Sequence, residues 1–402
     1  MISLSSRRHF VLTAITGFLA ACRRKVAPAR ANDSTMLGAP RRAYGMRSPF
    51  EQSARYFRVS ATPGTGSSRT PLQDLYGIIT PSALHFERHH AGVPAIDPAK
   101  HRLLVHGLVQ RPLFFSMQEL RRFPSVSRVH FIECSGNSSA EHAGKPGATP
   151  QASHGLVSCS EWTGVPLHTV LLEAGLSPDA KWVIAEGADA CRMTRSIPIA
   201  KAMDDVIVAY GQNGEALRPE QGYPVRLVVP GWEGNVNIKW LHRLHVAAQP
   251  MMSREEAATY TDFMPDGKAR RFTFDMQAKS VIVRPAGGQK LNGQGPYEIF
   301  GFAWSGLGRI TRVEISINGQ WRDAQLQDPV LPKAFTAFRL LWTWNGEPTM
   351  LASRCTDETG YRQPPREEIV AVRGLHPGPD GFDHYNGIKS WRVEPNGDVV
   401  AA

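Results

Sequence analysis

The pattern of this chain changes near residue 270, and that change fixes what it can fold into. From about 72 to 250, short apolar runs alternate with brief helical stretches; from about 272 to 398, helical signals nearly vanish. In the first stretch "HRLLVHGLV", "RVHFIEC", "KWVIAEGAD", "DVIVAYG", "PVRLVVPG" and "LHRLHVA" read as strands, being short and rich in Val, Ile and Leu between Gly or Pro signals. "SMQELRRF" and "PLHTVLLEAGL" carry apolar residues at three- and four-residue spacing and stop at Phe-Pro or Gly, as helices do. In the second stretch "SVIVRP", "YEIFGFAW", "RITRVEISING", "AFTAFRLLWTW", "TMLASRCTDE" and "IKSWRVEP" recur at short spacing, with Asn318-Gly319 as a hairpin signal. The expected class is α+β: a mixed α+β domain over 72–250, then an immunoglobulin-like β-sandwich over 272–398 without the paired cysteines of antibody domains. A chain of 402 residues with 42% hydrophobic content can bury two such cores. No GxGxxG follows a strand, so a dinucleotide fold has no support.

The N-terminus, "SSRRHFVLTAITGFLAACRRK", joins an Arg7-Arg8 pair to an apolar stretch from Phe10 to Ala21, the pattern of a twin-arginine export signal. Residues 1–31 are read as that signal and the protein as periplasmic. Cleavage is expected after "ARA", Ala29 to Ala31; a lipoprotein box at "LAAC", with an anchor at Cys22, is less favoured because three basic residues follow it. Residues 32–71, rich in Arg, Ser, Gly, Thr and Pro, read as a linker or surface arm. The formal charge is +10, but residues 1–47 hold +8 of it, which removes the main support for nucleic-acid binding. No window approaches the roughly 18–20 apolar residues of a membrane span. Beyond Cys22, the cysteines are Cys134, Cys159, Cys191 and Cys355, with no CxxC and no CxxCH, so neither a zinc ribbon nor covalent haem is expected in this chain.

Four stretches place polar residues at strand ends or turns. "LHFERHHAGVP" sets Arg88, His89 and His90 after an aromatic; "HFIECSGN" puts Cys134 between a β-type run and a Gly-Asn turn; "IVAYGQNGE" delivers Tyr210 into a Gly-rich turn. In "YPVRLVVPGWEGNVNIKWL", Arg226 and Lys239 flank a Pro-Gly-x-x-Gly loop. A thiolate, a phenol, guanidinium groups and a Gly-rich loop together suit an anionic ligand. Each residue taken singly is as well explained by packing, a surface ion pair or a satisfied polar contact.

Their order is the stronger signal. "HFERHH", "ECSGN", "WTGVPLHTVLLEAGL", "EGAD", "SIPIAKAMDDVIVAYGQNGEALRPEQGYPVRLVVPGWEGNVNIKWL" and the final "VRGL" with "IKSWRV" resemble the sulfite oxidase family of molybdopterin enzymes from residue 72 to the end. The resemblance implies a molybdenum–molybdopterin cofactor and a sandwich domain that dimerises. It makes Cys134 the thiolate ligand of the metal, a role that suits a soft sulfur donor. It casts Tyr210 as the active-site phenol and Arg88 and Arg373 as positive charge near the reacting oxyanion. It assigns His90, Arg226, Asn237, Ile238, Lys239 and, less securely, Asp189 to the pterin and its phosphate. Two departures stand out: Ser138-Ser139 occupies the place of a family Arg-Arg, and Gln221 replaces a family histidine. Within the family, "GIITPSALHFERHHAGVPAID", "RFPSVSRVHFIECSGN" and "RCTDETGYRQP" look most like the sulfane dehydrogenase branch. That implies oxidation of sulfane sulfur on a carrier-protein cysteine, a dihaem cytochrome c subunit as electron acceptor, and a homodimeric core within a heterotetramer. The competing expectation is a sulfite dehydrogenase acting on free sulfite. Cys159, Cys191 and Cys355 are read as structural thiols.

Overall fold

Val126–Glu133 and Val157–Pro166 pair antiparallel, His130 opposite Ser160 and Glu133 opposite Val157, in a computed structural model that describes residues 40–60, 62–375 and 384–402. Residues 40–52 contain no helix or strand; Ser53–Ala402 forms the second, far larger unit of the chain. The export-signal and cleavage readings fall outside the described residues. The last four residues of Val126–Glu133 are buried on both faces. Alternation explains it: Phe131 packs into the core of the sandwich, and Ile132 into a small cluster with Phe86, Leu156 and Trp162.

The hairpin belongs to a five-stranded sheet with Ile207–Gln212, Glu215–Ala216 and Arg226–Val228. A second five-stranded sheet runs Leu113–Ser116, Arg102–Gly107, Leu241–Ala247, Trp182–Gly187, Thr194–Pro198, with Leu241–Ala247 parallel to Arg102–Gly107. Both expected helices form. Met117–Leu120 starts at a capping box of Ser116 and Glu119, and Leu167–Ala174 buries Leu167, Val170, Leu171 and Ala174, one stripe at helical spacing. The expected mixed α+β domain is present.

The sandwich has one sheet of Lys279–Arg284, Gly295–Trp304, Thr336–Trp344 and Gln325–Leu326, and another of Gln320–Asp323, Ile310–Ile317, Thr349–Asp357, Ser390–Val393 and Val399–Ala401. Asn318 and Gly319 both have positive φ, 50° and 85°, which makes the tight turn between Ile317 and Gln320. Its core, with Trp304, Phe335, Phe338 and Trp391 fully buried, takes in Leu72, Leu75, Val157 and Cys159 from the first domain.

Two segments differ from the sequence reading. Tyr56–Val59, Gly66–Arg69 and Glu87–His89 make a three-stranded antiparallel sheet, so the later part of the segment read as linker or arm is a hairpin of the fold. Arg366–Arg373 is a helix inside the stretch where helical signals nearly vanish. Pro365 caps it, Glu367 and Glu368 fill its first turn, Arg373 its last, and Gly374 follows with φ 73°. No disulfide joins Cys134, Cys159, Cys191 and Cys355 to one another; burial pushes the Cys159 thiol up to about 12.

Candidate functional site

A cleft opens where the end of Val126–Glu133 meets the loop 234–237 and the strand Glu87–His89. Cys134 lies on its wall. The cysteine is fixed by its neighbours: its N–H donates to Leu156 O (2.9 Å), its carbonyl accepts from Asn137 N (2.9 Å), and the Asn137 amide in turn accepts from Leu156 N (3.1 Å) and donates to Glu133 (2.8 Å). Glu133 is fully buried and also accepts from Lys279 Nζ (2.8 Å) and Trp304 Nε1 (2.7 Å), both of the sandwich. The second domain thus clamps the residue before the thiol. Gly234 allows the close approach from the other side, since a Cβ there would meet Glu133 O at 2.8 Å and Cys134 Cα at 3.2 Å.

The same wall is cationic. Among the described residues Arg226, 3% exposed, donates only to oxygens of Gln221 (3.0 and 3.4 Å), Asn237 (3.1 Å) and Leu227 (3.5 Å), and stacks 4.9 Å over Trp162. Burial lowers its pKa to about 9, and no carboxylate offsets the cost. Lys239 Nζ donates to Arg88 O (3.1 Å) and Glu220 O (3.3 Å) and bonds His89 Nδ1 (2.9 Å); desolvation and the Arg226 charge push it well below its ordinary pKa. His90 falls to about 4, through burial and then the charges of Arg88 and Lys239. A buried guanidinium without a carboxylate is costly on its own, so this wall fits an anionic group such as a pterin phosphate. Asp189, 5% exposed, keeps Oδ1 unpartnered while Oδ2 accepts from Cys191 Sγ (2.7 Å), which leaves an acceptor for a ring N–H. These residues fit a molybdenum–molybdopterin group: soft sulfur at Cys134, cations along the same cleft, an acceptor at Asp189.

Cys134, Arg88, His90, Asp189, Arg226, Asn237, Ile238 and Lys239 all line the cleft, as expected from the sequence. Two residues do not. Tyr210, the residue at the Ala209/Gly211 bulge, packs at the edge of the first domain's core with Arg121 5.7 Å over its ring and lines no part of the cleft. Arg373 ends its helix within electrostatic reach of Asp262, Arg270 and Tyr361, and lines no part of the cleft. The phenol on the wall is Tyr260, whose hydroxyl is 3.4 Å from His90 Nε2. It follows a single wide helical turn, Glu255–Thr259, a kind of irregularity common at functional sites. Arg195 sits 5.0 Å from its ring and bridges Glu233 (2.9 Å) and Glu256 (3.1 Å); Glu233 also accepts from Asn235 (2.6 Å) and His384 (3.0 Å). Cys191 lines the cleft too, its thiol donating to Asp189 (2.7 Å); desolvation and Asp189 raise it to about 12. Gln221, where the resemblance expects histidine, donates to Phe86 O (2.9 Å) and accepts from Arg226, so it orients the guanidinium.

Residues 90–255 match the oxidoreductase molybdopterin binding domain, and residues 270–378 the Mo-co oxidoreductase dimerisation domain. The crystal structure of the sulfane dehydrogenase SoxCD from Paracoccus pantotrophus is 43% identical, with a TM-score of 0.88, over 92% of this chain and 96% of that one. The chain belongs to the sulfite oxidase family of molybdopterin oxidoreductases. Mouse mitochondrial sulfite oxidase is 33% identical over 286 residues, 66% of this chain and 52% of that protein. An NADH nitrate reductase of Volvox carteri is 32% identical over 397 residues, 80% of this chain and 44% of that protein. The chain therefore spans about half the length of these curated relatives. Membership accounts for the two-domain order and implies a molybdopterin cofactor for the first domain.

Proposed function

We propose that this protein is a periplasmic molybdenum oxidoreductase that oxidises sulfane sulfur carried on a partner protein's cysteine and passes the electrons to a dihaem cytochrome c subunit. The observation that carries the reading is the 43% identity to a sulfane dehydrogenase along 96% of that chain, joined to a Ser138-Ser139 turn that puts no cation beside Cys134. The bound cofactor supplies oxygen-atom transfer and two-electron redox chemistry. Cys134 would hold the metal as thiolate, fixed by the Glu133–Lys279 clamp. Arg226, Lys239 and His90 would neutralise the phosphate, and Asn237, Ile238 and Asp189 would bound the pterin. Arg88 would face the developing oxyanion, where a fixed guanidinium is worth most. Tyr260, beside His90, would hold or pass a proton at its hydroxyl. Converting R–S–S⁻ to R–S–SO₃⁻ consumes three waters and releases six protons and six electrons, so an external acceptor is required. The sandwich would pair two copies. Export by the twin-arginine route agrees with a protein that folds around its cofactor before leaving the cytoplasm.

Free sulfite is the second reading, supported by the likeness to mouse sulfite oxidase. Cytochrome c reduction by the molybdenum-loaded protein, given free sulfite or a persulfidated carrier, separates the two. Preference for the carrier supports the proposal; faster turnover of sulfite overturns it.

A further inference from the structure

The sheet of Tyr56–Val59, Gly66–Arg69 and Glu87–His89 sorts its charges by face. Arg58 lies opposite Ser67, Ser67 opposite Arg88, and Tyr56 opposite Arg69. Directly paired residues and those two apart share a face, so Arg58, Arg69 and Arg88, one from each strand, point the same way. Phe57, Ser68 and Glu87 point the other way, where Arg55 pairs with Glu87. The acid is thus on the far face. Among the described residues none of the three arginines is ion-paired; Arg69 Nη1 donates to Ala152 O (2.5 Å) and Arg88 Nη1 to His89 O (2.5 Å). Arg58 and Arg88 are exposed and Arg69 is half-buried.

The third strand carries this face to the cleft. Arg88 lines it with Cys134. Arg69 flanks the last rung of the Cys134 hairpin: a Cβ on Gly155 would lie 2.8 Å from Arg69 Cβ, Thr70 N donates to Gly155 O (2.8 Å), and the next residue, Leu156, accepts from Cys134 N (2.9 Å). Desolvation and Arg58 lower the Arg69 pKa while Cys134 opposes them, as expected for groups in electrostatic reach. The Ser138-Ser139 turn offers hydroxyls only, Ser138 being 4% exposed.

We propose that Arg58 and Arg69, with Arg88, form the entry surface for the anionic sulfur end of the substrate, and that this hairpin supplies from another part of the chain the cationic charge that the Ser138-Ser139 turn lacks. The proposal rests on the reading that the cleft oxidises an anionic sulfur group. Guanidinium forks suit a persulfide or a sulfonate, since they pair with an anion through several N–H donors at once and never lose their charge. A row of them leading inward captures an anion and draws it toward the metal. The anion is the shared chemistry, whether it arrives as a small oxyanion or at the tip of a carrier arm.

The test uses the molybdenum-loaded full chain as wild type and as Arg58→Ala/Arg69→Gln, the glutamine keeping an N–H for Ala152 O. The surface predicts a kcat/KM about tenfold lower at low ionic strength, a loss that closes at high salt, and a kcat within about twofold of wild type. Sulfate binding, followed by titration calorimetry, should weaken by a similar factor. A loss shared by free sulfite and the persulfidated carrier supports recognition of the anion itself; a loss confined to the carrier supports recognition at the carrier's tip. Unchanged kcat/KM with both and an unchanged sulfate affinity overturn the proposal. If the wild type turns over neither sulfur compound, the functional reading fails by itself, and sulfate titration still decides whether the arginine face binds anions.

Discussion

Removing Lys279 tests whether the sandwich fixes the strand end that carries Cys134. Lys279 and Glu133 are 1% and 0% exposed, their charged atoms 2.8 Å apart, and among the described residues the Glu133 carboxylate has further partners only in Asn137 (2.8 Å) and Trp304 (2.7 Å). Lys279→Met leaves a carboxylate buried with two neutral donors. Stripping one partner from such a pair costs about 3–5 kcal/mol. At roughly 2 °C per kcal/mol for a unit of this size, the melting temperature should fall by about 6–10 °C. Glu133→Gln/Lys279→Met removes both charges while the amide still accepts from Trp304, and should recover at least about 2 kcal/mol relative to Lys279→Met. Urea and thermal melts of the three proteins measure this directly, with molybdenum content as the readout at the site. A single variant within about 1 kcal/mol of wild type, or a double variant no better than the single, would refute the reasoning.

Other consequences follow from the same geometry. Tyr260→Phe should cost about 10²–10⁴-fold in kcat as a lost proton carrier, and Tyr210→Phe less than about twofold; the reverse ranking in steady-state assays would restore Tyr210 to the site. Arg226→Met should leave the cofactor-free protein at least as stable as wild type, because a buried uncompensated charge is gone, while molybdenum retained after gel filtration falls. A destabilised cofactor-free variant would contradict that. Burial holds His130 down from its ordinary 6.5 to about 4, and His154 well below 6.5. The unfolded chain then takes up these protons first, so stability is complete above about 6.5 and is lost as pH falls toward the folded values, about 2 kcal/mol for His130 alone at pH 5. Urea midpoints that rise between pH 7 and pH 5 would count against it.

Much of this was legible because strands and turns leave local signatures. Val129-His130-Phe131-Ile132 followed by Ser135-Gly136-Asn137 announced a strand mouth, and the Pro-Gly-x-x-Gly loop announced a close approach, so Cys134, Arg226 and Lys239 stood out as candidates, and their order along the chain, shared with the sulfite oxidase family, gave them roles. Tyr260 carried no such mark: it follows a wide helical turn of Glu and Ala, and its place on the wall depends on Arg195, sixty-five residues earlier. Tyr210 looked right locally, but the bulge beside it decides where it points, and a bulge is invisible in apolar spacing. The Tyr56–Arg69 hairpin was hidden by its Gly, Ser and Thr content, which reads as loop. Glu133 was hidden for a different reason, since its partners Lys279 and Trp304 come from the other domain. The helix Arg366–Arg373 did carry its signals, but the strands around it dominated the pattern.

The central claim is that Cys134 holds molybdenum as a thiolate at this strand end. Molybdenum K-edge X-ray absorption on the loaded protein and on Cys134→Ser tests it most directly. The account predicts one sulfur neighbour fewer in the variant, with the pterin still bound; an unchanged sulfur count would contradict it.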